Sequence, residues 1–182
     1  KESSGNKGAK VTTRYSLPGR WLVYMPHADY VGVSRKIESS EERARLKEIG
    51  DALREDGEGL ILRTVAEGAD ASELEKDLRE LRETWTAVQA ASSAAKAPAC
   101  LYRDLDMVPR LIRDMFTDQV DELIIDDAAK RAEIESRLMQ YAPRLTERIR
   151  SYREKVPMPV FYGIHDALEK SMRPKVWLEN GA

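Results

Sequence analysis

The sequence predicts an α/β (α+β) fold in which small mixed sheets pack against helices. Short apolar runs rich in β-branched residues alternate along the chain with segments whose apolar residues recur every three or four positions. Hydrophobic residues make up 42% of the 182 residues, which is enough for a packed core. No internal repeat is present, so the alternation indicates a mixed chain of strands and helices.

The first third of the chain predicts three strands and one helix. The predicted strands are residues 11–15, 21–25 and 59–65. The helix between the second and third strands begins at a capping box, in which Ser39 is followed three residues later by Glu42. Apolar residues then recur at helical spacing: Leu46, Ile49 and Leu53.

The second helix has the most regular pattern in the sequence. Asp70 and Glu73 form a capping box at its start. One apolar stripe follows at steps of four and three: Leu74, Leu78, Leu81, Trp85 and Val88. The stripe lasts about two heptads, which favours a helix that faces its own core. An oligomerisation module held together through this stripe is the structural alternative.

The remaining residues predict further alternation of strands and helices. Pro109 lies near the first turn of one predicted helix, and Asp127 caps the next, which ends before Pro143. A last short helix carries Ile164 and Leu168. The predicted strands are residues 100–102, 122–126, 149–152 and 175–178.

Net charge, cysteine content and the length of apolar runs exclude several classes of protein and indicate a cellular compartment. A formal net charge of −2 excludes a wholly basic nucleic-acid binder, although a local basic patch remains possible. The single cysteine, Cys100, excludes an internal disulfide framework and fits a reducing cytoplasm. No apolar run is long enough for a membrane span. Because the first residue is not Met and the last residues resemble a strand running into a turn, we expect a piece of a larger protein.

Cationic and hydroxyl-bearing residues follow two of the predicted strands. Arg63 and Thr64 end an apolar strand, and Arg35 and Lys36 lie in a loop after Gly32. An arginine fork and a hydroxyl suit phosphate oxygens, so the two loops together could form an anion site. The alternative from the pattern alone is a pair of solvated surface loops.

Two other segments contain candidate binding residues, but their patterns are less specific for one function. Lys7 lies in a glycine- and lysine-containing lead that could follow a phosphate backbone or could simply be a polar tail. The acidic residues near the strand at 122–126 could bind Mg²⁺ in a phosphotransfer enzyme that uses Asp126 and Asp127. The pattern favours the simpler interpretation, in which Asp127 caps a helix and Asp121 and Glu122 are solvated ends of the strand.

Several segments resemble the ribonuclease E/G family, in order and at nearly the family's spacing. GNKGAKVTT at residues 5–13 resembles the closing strand of that family's S1 (OB-fold) domain, and GRWLVYMP at 19–26 resembles the first strand of its 5′-sensor. The other matching segments are GVSRKIE at 32–38, GLILRT at 59–64, IRD at 112–114 and ELIIDD at 122–127.

The resemblance implies three parts and an RNA-related role. Residues 1–13 would be the C-terminal remnant strand of the S1 domain, 14–108 the 5′-sensor, and 109–182 the first part of the ribonuclease H-like subdomain. The family consists of bacterial and plastid endoribonucleases of RNA processing and decay that prefer single-stranded RNA, and many members favour a 5′-monophosphate end.

The catalytic Mg²⁺ carboxylates and the zinc-link cysteines of the family have no counterpart here, so we expect no cofactor in this chain and no cleavage by it alone. The expected partners are 5′-monophosphorylated single-stranded RNA, the rest of the same nuclease chain and, in the longer protein, further copies of it.

The resemblance also implies roles for individual residues. Arg63 and Thr64 would bind the terminal phosphate, and Lys7 and Lys36 would contact RNA. The terminal nucleotide would lie against Val23 and Gly19, with support from Arg35. Three features depart from the family pattern. Lys36 stands where Arg is usual, residues 65–68 with Glu67 replace a loop that is usually richer in glycine, and Trp21 replaces a smaller aromatic residue.

Overall fold

A computed structural model describes residues 3, 5–117 and 119–175. The chain divides into two compact units, residues 1–115 and 116–182. The predicted α/β class is confirmed, since both units combine a small sheet with packed helices. Within the described ranges, no helix is both long and apolar enough to span a bilayer.

The first unit is built on a four-stranded mixed sheet. Its strands are β1 (Leu17–Pro18), β2 (Leu22–Pro26), β3 (Val31–Val33) and β4 (Glu58–Leu62), in the order β1-β2-β4-β3. β2 runs antiparallel to both β1 and β4, whereas β3 runs parallel to β4. The parallel pair is connected through α1 (Ser40–Leu53), as a crossover requires.

Alternation along the strands gives the sheet one buried face and one partly exposed face. Leu22 pairs with Leu62 and Tyr24 with Leu60, and all four side chains are buried. The intervening pair, Val23 and Ile61, projects to the other face and is half-buried. The core therefore lies on one side of the sheet, beneath α1 and α2 (Ala71–Ala94).

Both predicted caps lie at helix starts, but only the one at α2 is a complete capping box, since the Glu42 carboxylate accepts from Arg45 and from the Gly68 N–H instead. The Ser39 hydroxyl accepts the backbone N–H of Glu42 at 3.2 Å at the start of α1. At the start of α2, the Asp70 N–H donates to the Glu73 carboxylate at 3.1 Å as part of a complete capping box. Each cap satisfies N–H groups that the first helical turn leaves without partners.

The apolar stripe of α2 is buried only in its first half. Leu74, Leu78 and Leu81 are buried in the core, as predicted, but Trp85 and Val88 are half-exposed. The helix has 24 residues and is about 36 Å long, whereas a five-residue strand spans about 17 Å. The second half of α2 thus has little sheet to cover it.

The second unit is smaller and has a two-stranded parallel sheet. β5 (Leu123–Ile125) pairs with β6 (Ile149–Ser151), and α4 (Ala128–Tyr141) lies between them in the chain. Asp127 caps α4 as predicted, since its Oδ1 accepts the Lys130 N–H at 2.8 Å. Two short helices follow, α5 (Met158–Phe161) and α6 (Ile164–Ser171). The remaining helix, α3 (Met107–Met115), belongs to the first unit.

Two predicted strands are wrong. Residues 8–16 contain no strand, and Val11 in the predicted strand 11–15 is 92% exposed. Residues 100–102 are also irregular, and Leu101 and Tyr102 are exposed. A β-branched run is stable as a strand only when another strand takes up its N–H and C=O groups, and neither run has one among the described residues. The predicted strand 175–178 lies outside the described residues apart from Lys175.

Candidate functional site

Two loops of the first unit meet at a pair of hydroxyl groups. The Ser34 and Thr64 hydroxyl oxygens are 2.8 Å apart, and the Ser34 N–H donates to the Leu62 carbonyl at 2.9 Å. The second contact extends the β3–β4 pairing by one step, so the sheet itself brings the loops together. Arg35 and Lys36 follow Ser34 in an exposed turn. The junction thus combines two hydroxyls with two adjacent cations, which are groups that bind oxyanions.

Arg63 lies at the end of β4 and contacts two other segments. Its Nη1 donates to the Gly19 carbonyl at 2.6 Å and to Asp114 Oδ1 at 2.7 Å. Its backbone N–H donates to the Trp21 carbonyl at 2.8 Å. The Arg63 side chain is held by protein groups and is 24% exposed.

The loop at Gly19 is held by a half-buried carboxylate. Asp77 of α2 accepts three successive backbone N–H groups, from Arg20 at 3.2 Å, Trp21 at 2.8 Å and Leu22 at 3.2 Å. Burial raises the pKa of Asp77, and these three hydrogen bonds act against the increase. A Cβ on Gly19 would lie 2.4 Å from Asp77 Oδ2, so only glycine fits there.

Helix α1 fixes both loops of the hydroxyl junction. Arg43 Nη1 donates to the Ser34 carbonyl at 3.2 Å, and Glu42 Oε1 accepts the Gly68 N–H at 2.8 Å. Arg45 bonds both oxygens of Glu42 at 2.7 Å and also the Ala69 carbonyl at 3.0 Å. These hydrogen bonds, chiefly those from Arg45, lower the pKa of Glu42 to about 2. Charged side chains of one helix therefore set the separation of the two loops.

Arg63 is also one end of a chain of alternating charges. Asp114 Oδ1 accepts from Arg113 Nε at 2.9 Å as well as from Arg63. Arg113 is buried, and its Nη1 donates to Asp104 Oδ1 at 2.9 Å and to the Pro18 carbonyl at 3.0 Å. Burial raises the pKa of Asp114, but hydrogen bonds from Arg113 and Arg63 outweigh burial and leave that pKa below its ordinary value. We call Asp104, Arg113, Asp114 and Arg63 the charge chain.

An apolar row crosses the sheet face opposite the core. Val23 and Ile61 are neighbours on β2 and β4, and Gly32 of β3 lies beside Ile61. A Cβ on Gly32 would be 3.7 Å from Ile61, which is an ordinary contact. Ile61 lies two residues before Arg63, so this apolar surface adjoins the polar loops.

The structure brings together most of the residues predicted from sequence. Arg63 contacts Gly19, Thr64 contacts Ser34 beside Arg35, and Val23 lies on the same sheet. Lys36 is exposed in the turn, and no hydrogen bond or ion pair among the described residues joins Lys7 to these loops. The roles predicted for these residues remain predictions. Sequence reasoning missed three residues that shape the site: Ser34, Asp77 and Asp114.

The acidic residues at β5 were the second candidate site. Asp127 uses its carboxylate to cap α4. Within residues 3, 5–117 and 119–175, no three His, Cys, Asp or Glu side chains are placed so that they could hold one metal ion. The Mg²⁺ and Zn²⁺ implied for the family therefore do not fit a donor set in the described residues, and we derive no step through a metal.

The fold and the site define an α/β module that presents cationic and hydroxyl groups at the ends of neighbouring strands. The model of the ribonuclease E/G family matches residues 16–182. The chain is 33% identical over its whole length to ribonuclease E of Nostoc and 32% identical to ribonuclease G of Escherichia coli K12. The chain therefore belongs to the ribonuclease E/G family. It spans 27% and 37% of the length of these two relatives.

Proposed function

We propose that this chain is an RNA-binding segment of an endoribonuclease of RNA processing and decay, and that it binds the 5′-monophosphate end of single-stranded RNA. The observation that carries the proposal is that the end of β4 carries the Arg63 guanidinium, held by the Gly19 carbonyl, and, at the next residue, the Thr64 hydroxyl, paired with that of Ser34. The relatives named ribonuclease E and ribonuclease G support an RNA substrate.

The polar groups of the site suit a terminal phosphate. A 5′-monophosphate offers several oxygens and up to two negative charges, whereas a 5′-hydroxyl offers neither. Among the described residues, both hydrogen bonds of the Arg63 guanidinium use Nη1, which leaves Nη2 and Nε as donors for a ligand. The Thr64 hydroxyl supplies a further donor, and Arg35 and Lys36 add positive potential.

The apolar row suits the nucleoside that follows the phosphate. Val23 and Ile61 expose part of their surface on the sheet face away from the core. A nucleobase can lie flat on such a surface without sequence preference. At Gly19 the backbone itself comes close to Arg63, since the Gly19 carbonyl accepts from Arg63 Nη1 at 2.6 Å. Glu67 places a negative charge after the 3-10 helix Thr64–Ala66 and should weaken phosphate binding.

The same proposal assigns this chain a role within a longer nuclease. Lys7 would contact RNA from an S1 remnant, and the role of the chain would be to bind and orient RNA within a longer cytoplasmic nuclease. The Mg²⁺-dependent cleavage, any Zn²⁺ site and assembly with further copies would belong to other parts of that protein. Intact single-stranded RNA after incubation with this chain and Mg²⁺ is the expected result, and cleavage that Asp126→Asn abolishes would favour the phosphotransfer alternative.

The test compares short oligonucleotides that differ only in a 5′-monophosphate or a 5′-hydroxyl. Arg63→Ala should lower the affinity for the monophosphorylated RNA by roughly ten- to a hundredfold, because hydrogen bonds to charged groups are worth about 1.5–3 kcal/mol each. Thr64→Val should act in the same direction with a smaller effect. Fluorescence anisotropy at one fixed salt concentration measures both affinities, since phosphate contacts depend on salt.

A matched control removes the same charge elsewhere in the first unit. Arg79 is exposed on α2, and Arg79→Ala should change the affinities for the two RNAs by the same small factor. Glu67→Gly should tighten binding of the monophosphorylated RNA. Equal affinity of the unsubstituted chain for both RNAs would refute the proposed function.

A further inference from the structure

We infer that Asp114 is a positioning residue that holds the Arg63 guanidinium in the orientation that receives the terminal phosphate. This inference rests on the proposed function. Asp114 lies on α3, about fifty residues beyond Arg63 in the sequence, and nothing in its own segment indicates a ligand-binding role. The argument depends on which nitrogen of Arg63 it contacts and on what holds Asp114 itself.

The first step concerns the way in which Arg63 is held. Asp114 Oδ1 and the Gly19 carbonyl both accept from Nη1, at 2.7 and 2.6 Å. Two acceptors on one nitrogen fix the plane of the guanidinium and occupy one corner of it. Nη2 and Nε, the two nitrogens that lie on another edge of the same plane, can then donate in parallel to two phosphate oxygens.

The second step concerns the rigidity of Asp114. Arg113 donates from Nε to Asp114 Oδ1 at 2.9 Å and from Nη2 to Oδ2 at 3.1 Å. Arg113 is in turn fixed by Asp104 and by the Pro18 carbonyl, and only 10% of its side chain is exposed. The carboxylate is therefore held from behind, and an incoming phosphate does not displace it easily. A rigid acceptor removes rotamer freedom from Arg63 before the ligand arrives.

The third step distinguishes two effects of Asp114 on RNA binding: the orientation of Arg63 and the electrostatic repulsion of phosphate groups. A carboxylate beside a phosphate site repels the nearby terminal phosphate more than the more distant internal phosphodiesters, so relief of that repulsion alone should raise the preference for the 5′-monophosphate. Loss of the fixed orientation affects only the contact that Arg63 makes with the terminal phosphate. The readout is therefore the selectivity, defined as the Kd for 5′-hydroxyl RNA divided by the Kd for 5′-monophosphate RNA.

Three substitutions at one position distinguish charge from geometry. Asp114→Ala should lower the selectivity by about three- to tenfold, the usual cost of immobilising one long side chain. Asp114→Asn retains an acceptor oxygen at the same place and should retain most of the selectivity. Asp114→Glu retains the charge but moves it by one methylene, and it should lower the selectivity nearly as much as Asp114→Ala.

The matched control lies in the same charge chain. Asp104 contacts Arg113 but makes no hydrogen bond to Arg63 among the described residues. Asp104→Ala should therefore destabilise the chain and lower the selectivity much less than Asp114→Ala does, because Arg113 keeps the Pro18 carbonyl and both oxygens of Asp114 as partners. In an Arg63→Ala background, Asp114→Ala should not change the selectivity further, because the guanidinium that it positions is gone.

The outcomes separate this inference from the proposed function. If the unsubstituted 182-residue chain shows no selectivity, the proposed function fails. If it is selective and Asp114→Ala and Asp114→Glu leave the selectivity unchanged or raise it, Asp114 is not a positioning residue. Circular dichroism establishes that each variant is folded, and if Asp114→Ala is not, the comparison of Asp114→Asn with Asp114→Glu decides the question.

Discussion

The two units treat their apolar helix faces differently. In the first unit, the regularly spaced leucines of α2 are packed against the sheet, and Leu74 and Leu78 have almost no exposed surface. In the second unit, α6 has the same kind of spacing, yet Leu168 is 58% exposed and Met172, just beyond it, is 84% exposed. Periodicity therefore establishes which residues share a helix face, but an opposing surface decides whether that face is buried.

The charged residues show the same contrast. In the first unit, the buried carboxylate of Glu58 and the half-buried one of Asp77 are satisfied by specific donors across the fold. In the second unit, ion pairs such as Lys130–Glu133 and Arg131–Glu135 join residues of one helix at its surface. In the first unit, charged side chains hold loops at fixed positions. In the second unit, these charged side chains form ion pairs along exposed helical faces.

Truncation of one leucine in each unit should give the largest difference. Leu78→Ala should lower the free energy of unfolding by about 3–5 kcal/mol, because it leaves a cavity in a packed core. Leu168→Ala should change it by less than about 0.5 kcal/mol, because the side chain is already exposed. Urea unfolding followed by circular dichroism measures both. Similar losses would mean that the face of α6 is covered in solution.

A glycine substitution tests how tightly the first unit is packed around its loop. Gly19→Ala should destabilise the chain by about 1–3 kcal/mol, because the new methyl would overlap the Asp77 carboxylate. Gly32→Ala, in the same sheet, meets only ordinary contacts and is the control, with an expected change below about 1 kcal/mol. Equal unfolding midpoints for the two variants in a thermal melt would contradict the close packing at Gly19.

The smallest expected effect is a dependence on pH. Glu42 has a pKa of about 2 in the folded chain, below the usual value near 4.3, so its interactions stabilise the fold above about pH 4.3. That contribution is lost as the pH falls through about 2. Glu42→Gln should therefore cost about 1 kcal/mol at pH 7 and almost nothing near pH 2.

The second unit supplies the comparison for that experiment. Glu133 also has a lowered pKa, caused first by the hydrogen bond from Lys130, but its ion pair is exposed. Glu133→Gln should therefore have a smaller effect at pH 7, and added salt should reduce that effect further. A larger pH-dependent loss for Glu133→Gln than for Glu42→Gln, measured by urea unfolding from pH 2 to 7, would reverse the contrast between the units.

Local signals in the sequence predicted the helices well and the site in part. Ser39, Asp70 and Asp127 identified three helix starts, because a cap is a short-range interaction between residues three apart. The strands at 11–15 and 100–102 were wrong because strand formation depends on a partner that composition does not specify. Arg63 and Thr64 were predicted as candidate site residues from their place at a strand end and from the family resemblance.

The missing parts of the site are long-range contacts. Asp77 binds backbone groups more than fifty residues away, so no motif marks it. The only sequence signal at Asp114 was its position in the IRD segment. That segment indicated the family but did not predict the contact with Arg63. Ser34 lay within a matching segment, but its pairing with Thr64 depends on the parallel register of β3 and β4.

The Asp77 contact has a consequence for which sequences this loop can tolerate. Asp77 accepts hydrogen bonds from three backbone N–H groups and from no side chain of this loop. This contact therefore permits any residue that has an N–H at positions 20, 21 and 22. Proline is the one residue that cannot supply it. A library that randomises these three codons should therefore be depleted of proline at all of them, while position 77 itself should accept very few replacements.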